Sequence, residues 1–167
     1  MRQPDGKLAE RIADRRRGGD DPRALVGEMR RSVLLVPVAD GGLWSVRSGG
    51  VRWICGFTDE TALARFALHH ASGEQPVDYA ALLGARIVDE IVPALGEPAG
   101  LAVDIATEDG SMFFPPVVGI VPDTAAVDAG TRAAQAGPGA PDTGADAVGA
   151  DGDGDAGADA NGREARA

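Results

Sequence analysis

Side chains able to do acid–base, nucleophilic or metal chemistry are scarce in this chain of 167 residues, and their spacing limits what they could do. The carboxylate pairs Asp59-Glu60, Asp89-Glu90 and Glu108-Asp109 are sequence neighbours. Neighbours seldom converge on one substrate atom, and each pair has a structural use as a helix cap, a helix surface or a turn. His69 and His70 are the only histidines. Adjacent helix positions point about 100° apart, so these two cannot chelate one ion as i and i+4 ligands do; His70 is read as a packed helix residue and His69 as solvent-facing. Cys55 lies between Ile54 and Gly56, with no charged neighbour to lower its pKa, and is read as a buried structural thiol. Ser48 has Val46 where a nucleophile elbow needs its first glycine, and no helix follows it. Lys7 is the only lysine and no GxxxxGK[ST] occurs, which removes a P-loop; no GxGxxG follows a strand, so a dinucleotide fold is not supported. No catalytic residue, metal ligand or cofactor is expected.

The run Asp151-Gly152-Asp153-Gly154-Asp155 has the alternating carboxylates that begin a calcium loop. It departs from that pattern with Ala156 at the sixth position and Gly162 at the twelfth, and no helix flanks it, so it reads as part of a low-complexity segment.

The formal charge of −10 is uneven: residues 123–167 hold 9 acids and 3 bases, residues 1–122 hold 17 acids and 13 bases. A net negative body argues against phosphate-backbone binding, so no nucleic-acid partner is expected. Arg15-Arg16-Arg17, with Arg30-Arg31 behind it, is interleaved with Asp14, Asp20, Asp21 and Glu28 and reads as a solvated helix flank. One cysteine excludes an intrachain disulfide. The polar start has no apolar h-region and no apolar run approaches a membrane span, so neither a signal peptide nor a membrane contact is expected, and cytoplasm is the expected compartment.

These residues must be held by elements the pattern also predicts. Residues 1–32 read as a leader with a short helix over 22–30, capped by Asp21 with Pro22 in its first turn. Val33 to Val38 is a continuous apolar run that predicts a buried strand, with Pro37 at an end or bulge. A hairpin follows. A four-residue loop, Arg47 to Gly50, sets Trp44 opposite Trp53 and Val46 opposite Val51; a two-residue Gly49-Gly50 loop keeps the same faces but opposes Arg47 to Arg52, so the longer loop is preferred. Thr58 or Asp59 caps a helix over 59–71, and Asp78 caps a second whose apolar stripe is Tyr79, Leu82, Leu83, Ile87 and Ile91. Asp109-Gly110 predicts a tight turn pairing Ile105 with Phe114 and Val103 with Pro116. Pro115-Pro116 make the returning strand an edge. Residues 123–167, rich in Ala, Gly and Asp, predict a disordered acidic tail. The expected fold is α+β: a small antiparallel or mixed sheet of about five strands with two helices on one face.

Leu34-Leu35-Val36-Pro37-Val38, Phe57-Thr58-Asp59 leading into Leu63 and Phe66, and the hairpin from Leu101 to Pro116 together resemble the SseB N-terminal domain family. The resemblance covers about residues 33–122. It implies a small bacterial cytoplasmic α+β domain with no established catalytic residues, and so no active site to transfer. The family's Asn-Pro-Gly-type turn is replaced by Asp104 to Gly110. With few chemical groups, the expected function is a non-enzymatic protein-interaction or regulatory domain. Trp44, Trp53, Phe57, Phe113 and Pro115 are its candidate binding residues, since amphipathic aromatics can form an exposed apolar surface for a protein partner. The rival expectation is a binder of an amino-acid-like metabolite, or a carboxylate-dependent enzyme.

Overall fold

A computed structural model of the chain describes residues 6–19, 21–70, 77–107 and 110–131. Helices α1 (Lys7–Arg16) and α2 (Pro22–Arg31) lead into β1 (Val33–Ala39), β2 (Gly42–Leu43), β3 (Ser45–Ser48) and β4 (Val51–Gly56). Helix α3 (Glu60–His70), β5 (Tyr79–Leu83), helix α4, β6 (Ala99–Val103) and β7 (Met112–Phe114) follow. Helix α4 is α-helical over Gly84–Arg86, π-helical over Ile87–Ile91 and α-helical again over Val92–Ala94. Pro93 supplies the physical reason for the widened turn, since it has no N–H to give and its ring crowds the carbonyl four residues back.

The strands form two sheets, β2-β1-β5 and β3-β4-β6-β7. Every pair is antiparallel except β4 with β6, which run parallel. Leu35 and Phe57 join the sheets by exchanging two backbone hydrogen bonds of 2.9 Å. The class is α+β, as expected, with seven strands among the described residues in place of about five.

Alternation along the strands divides the core. Leu34 and Val36 of β1, Ile54 of β4, and Leu101 and Val103 of β6 pack with α1, α2 and α4; Leu35, Cys55 and Ala102 pack with Phe57 and with Ala62, Leu63 and Phe66 of α3. Helices therefore cover both faces, not one. Both sides of β1, β4 and β6 need apolar residues, which is why β1 is an unbroken apolar run.

The leader is a structural element. Leu8 and Ile12, one helical turn apart, are 2% and 0% exposed in the main core. Helix α2 starts as expected, with Asp21 Oδ1 accepting from the Arg23 N–H at 3.1 Å.

Four further expectations are corrected. Residues 79–83, read as the first turns of a helix, are strand β5, paired residue for residue with β1 from Val33↔Leu83 to Pro37↔Tyr79. The buried β1 needs a partner on this edge, and that tertiary demand outweighs the helical spacing of Tyr79, Leu82 and Leu83. Gly84 then starts α4 against α2, where an added Cβ would stand 1.9 Å from the Met29 carbonyl oxygen.

The first hairpin takes the two-residue loop. Gly49 and Gly50 have φ of 61° and 77°, and the register is Ser48↔Val51, Arg47↔Arg52 and Val46↔Trp53. Glu97 answers the like-charge objection: its carboxylate lies 2.8 Å from Arg47 Nη2 and 2.7 Å from Arg52 Nε.

The last hairpin takes a register other than the expected one. Its pairs are Leu101↔Phe114, Ala102↔Phe113 and Val103↔Met112, because the strand ends where Asp104 turns to φ 51°. Residues 108 and 109 lie outside the described residues.

Beyond Pro122 the body continues further than expected. Val121 is buried in the main core, the Val127 N–H donates to the Pro116 carbonyl at 2.8 Å, and Asp128 Oδ1 accepts from the Val118 N–H at 2.8 Å. The rest of the expected tail, 132–167, and with it the Asp151–Asp155 run, lies outside the described residues. Among the described residues no helix is long and apolar enough to cross a membrane.

Candidate functional site

The five aromatic and proline candidates do not form one patch. Phe57 is fully buried, tilted against Phe66 with centroids 4.9 Å apart, and serves the core under α3. Trp44 is half-buried and packs edge-on against Phe66, at 4.6 Å, and His70, at 5.4 Å. It works as a wedge between β3 and α3, not as a presented side chain. His70 stacks on Phe66 at 4.4 Å, and its Nδ1 lies 3.2 Å from the Phe66 carbonyl oxygen, but the residue is exposed at the end of α3, not packed in the core as expected.

Trp53 and Phe113 are brought together. Their rings meet edge to face at 5.1 Å and 81°, on the α3 side of the second sheet. They reach one another across β6 because Gly100, opposite Trp53, has no side chain: a Cβ there would stand 2.9 Å from the indole Cζ3 and 2.7 Å from the Phe114 carbonyl oxygen. The indole Nε1 donates to the Ser48 carbonyl at 3.3 Å, which fixes the ring from its other end. Trp53 is half-buried, whereas Phe113 is 52% exposed. Pro115, just past the end of β7, is partly exposed. Trp53 and Phe113 make an apolar ledge on this face, with Pro115 next along the chain beyond β7.

A polar group that the sequence pattern did not single out is the buried pair Thr58 and Asp104, each 5% exposed. Asp104 Oδ1 accepts from the Thr58 N–H at 2.9 Å and Oδ2 from the Thr58 hydroxyl at 2.7 Å. Burial pushes the Asp104 carboxyl above its usual range; the two Thr58 bonds and Arg65 pull it down, and Asp59 adds to the rise. The left-handed backbone at Asp104 is what aims the carboxylate at the start of α3. An aspartate tolerates that conformation better than most residues, the one local signal that could have marked it.

The remaining candidate groups have structural employment. Asp59 Oδ1 caps α3 by accepting from the Ala62 N–H at 2.7 Å, Asp89 pairs with Arg30, and Glu90 lies 3.4 Å from Arg86 Nε. Arg17 pairs with Asp14, and Arg16 donates to the Ser111 carbonyl at 2.7 Å, so the basic run is tied into the fold's own surface. Cys55 is fully buried, and burial pushes its thiol up to about 12. Among the described residues no group of three His, Cys, Asp or Glu stands close enough to hold a metal ion.

Against known proteins, the chain shows no significant match to any family model, curated protein or solved structure. What the site can do must be read from its own geometry. An apolar ledge with one rigidly backed, exposed ring can bind another apolar surface; a carboxylate with both oxygens engaged by one threonine holds two segments together.

Proposed function

We propose that this chain is a non-enzymatic, cytoplasmic protein-interaction or regulatory domain of the SseB N-terminal type, meeting its protein partner through Trp53, Phe113 and Pro115. The supporting observation is the pairing of Phe113, 52% exposed, with a half-buried Trp53 held by its own hydrogen bond. Aromatic residues braced in this way lose little freedom on binding and dominate the energetics of interfaces. The rival reading, an amino-acid-like metabolite binder or carboxylate-dependent enzyme, would have to use Asp104, whose two oxygens Thr58 already occupies.

Photo-crosslinking from position 113 in the full chain, inside cells, tests the proposal. The expected result is one dominant protein adduct, with binding of that purified protein weakened about thirtyfold by Phe113→Asp, the loss of a hot-spot side chain. The fold should be unchanged by circular dichroism. Absence of any adduct, or full affinity in Phe113→Asp, would count against it.

A further inference from the structure

A strand at the edge of a sheet offers unpaired amides to any other strand unless something blunts it. Three of the four edges here are blunted. β2 has two residues, β7 has three and runs into Pro115-Pro116, and β3 has four, with Arg47 among them and the Gly49-Gly50 turn at its end. β5 has no such device. It is five residues long, Tyr-Ala-Ala-Leu-Leu, uncharged, free of proline and glycine, and in unbroken register with β1.

The direction of its backbone groups follows from the ladder. Leu35 gives both of its bonds to Phe57, so its neighbours Leu34 and Val36 turn theirs toward Leu82 and Ala80. Tyr79, Ala81 and Leu83 therefore aim their N–H groups away from β1, as Tyr79 and Ala81 do their C=O groups, while the Leu83 carbonyl sits at the N-cap of α4. The side chains are largely open as well: on the α3 side of the sheet Tyr79 is 45% and Leu83 40% exposed, with the Tyr79 hydroxyl donating to Glu60 Oε1, at the start of α3, over 3.4 Å.

This edge is complementary to itself. About a twofold axis through Ala81, in antiparallel register, Ala81 faces Ala81 of a second copy and Tyr79 faces Leu83, so the N–H groups of all three residues gain acceptors and the carbonyls of Tyr79 and Ala81 gain donors. Each tyrosine ring then packs on a leucine across the strands. The same register sets Asp78 opposite Gly84 of the second copy. Alternation places Asp78 on the α2 side, beside the groove lined by Gly27, Arg30, Arg31, Leu83 and Ala85, where Arg30 already pairs with Asp89 and Arg31 with Glu28. We infer that the chain forms a twofold homodimer by antiparallel pairing of its β5 edges, which joins two three-stranded sheets into one. This surface is separate from the Trp53–Phe113 ledge and does not depend on it.

Sedimentation equilibrium of the full chain tests the dimer. The expected species has twice the 17.0 kDa of one chain and dissociates on dilution. Ala81→Pro removes an outward N–H and no ladder bond, and Leu83→Lys puts a charge on the edge; each should weaken the dimer at least about tenfold with unchanged circular dichroism. Ala81→Cys should cross-link two copies under a mild oxidant, because the facing Cα atoms would be about 5.5 Å apart, within disulfide reach. Ala80→Cys should not, and the buried Cys55 leaves the new thiol as the accessible one. A monomer at all concentrations, or a dimer indifferent to both Ala81→Pro and Leu83→Lys, overturns the inference. So does a monomer whose β5 amides resist hydrogen exchange only while residues 132–167 are present, which would assign the edge to the chain's own carboxy-terminal segment.

Discussion

Replacing Asp104 probes the contact that ties the end of β6 to the start of α3. Asp104→Ala removes both acceptors of the Thr58 N–H and hydroxyl, at 2.9 and 2.7 Å, in a site 5% exposed. Each donor left buried without a partner costs about 1–3 kcal/mol, and alanine at φ 51° adds about 1–2 kcal/mol of backbone strain. Loss of a desolvated carboxylate offsets part of that sum. The net expectation is a loss of about 2–7 kcal/mol, a large part of the about 5–15 kcal/mol that holds a domain together. Asp104→Asn keeps an acceptor for the N–H, keeps a side chain suited to the left-handed backbone and removes the charge, so it should lose about 1 kcal/mol or less. The pH dependence separates the two effects. Because the folded carboxyl titrates above its unfolded value, the native state holds the proton more tightly; its stabilisation is fully present below the unfolded value of about 3.9 and is lost as pH rises through the raised folded value. The wild type should therefore lose stability relative to Asp104→Asn across that window. Urea unfolding followed by tryptophan fluorescence at a series of pH values measures both quantities. A loss below about 1 kcal/mol in Asp104→Ala, or a wild-type advantage over Asp104→Asn that grows with pH, would refute the role given to this residue.

Two further outcomes are expected. Ile12→Ala should cost about 2–5 kcal/mol by denaturant unfolding, since its side chain is fully buried in the main core; a loss near zero would return α1 to the status of a dispensable leader. Cys55 should react with a disulfide reagent only as fast as the domain opens, because its thiol is buried and burial pushes it to about 12. The linked stability is present below its ordinary value of 9.0 and is lost as pH rises toward 12, which unfolding at alkaline pH would report.

Legibility varied with the range of the forces involved. Asp21 and Asp59 were readable as caps because a cap is a contact over two or three residues, and β1 was readable because a doubly buried strand must be apolar throughout. β5 was not, since Tyr79 to Leu83 satisfies a helical stripe as well as a strand and only β1 decides between them. Charge repulsion between Arg47 and Arg52 misdirected the hairpin because Glu97, which neutralises both, arrives from another part of the chain. The last hairpin failed for a similar reason: Asp104 leaves the strand to meet Thr58, a partner far away in sequence, and so overrides a good local turn signal. Of the binding candidates, aromatic type alone could not separate the buried Phe57 from the presented Phe113; the distinction lies in which side of the sheet α3 covers.

The parallel pairing of β4 with β6 has a consequence for how the chain folds. Arg52 lies beside Ala99, and between them the chain leaves its sheet, builds α3, contributes β5 to the other sheet and returns through α4. The two sheets are thus threaded through one another in sequence order, and neither is built from consecutive strands. Closing so long an excursion must precede the reward of its contacts, so the junction at the heart of the molecule should form late and in a single cooperative step. A ribosome would have to release α4 and β6 before the emerging chain could commit to its native state.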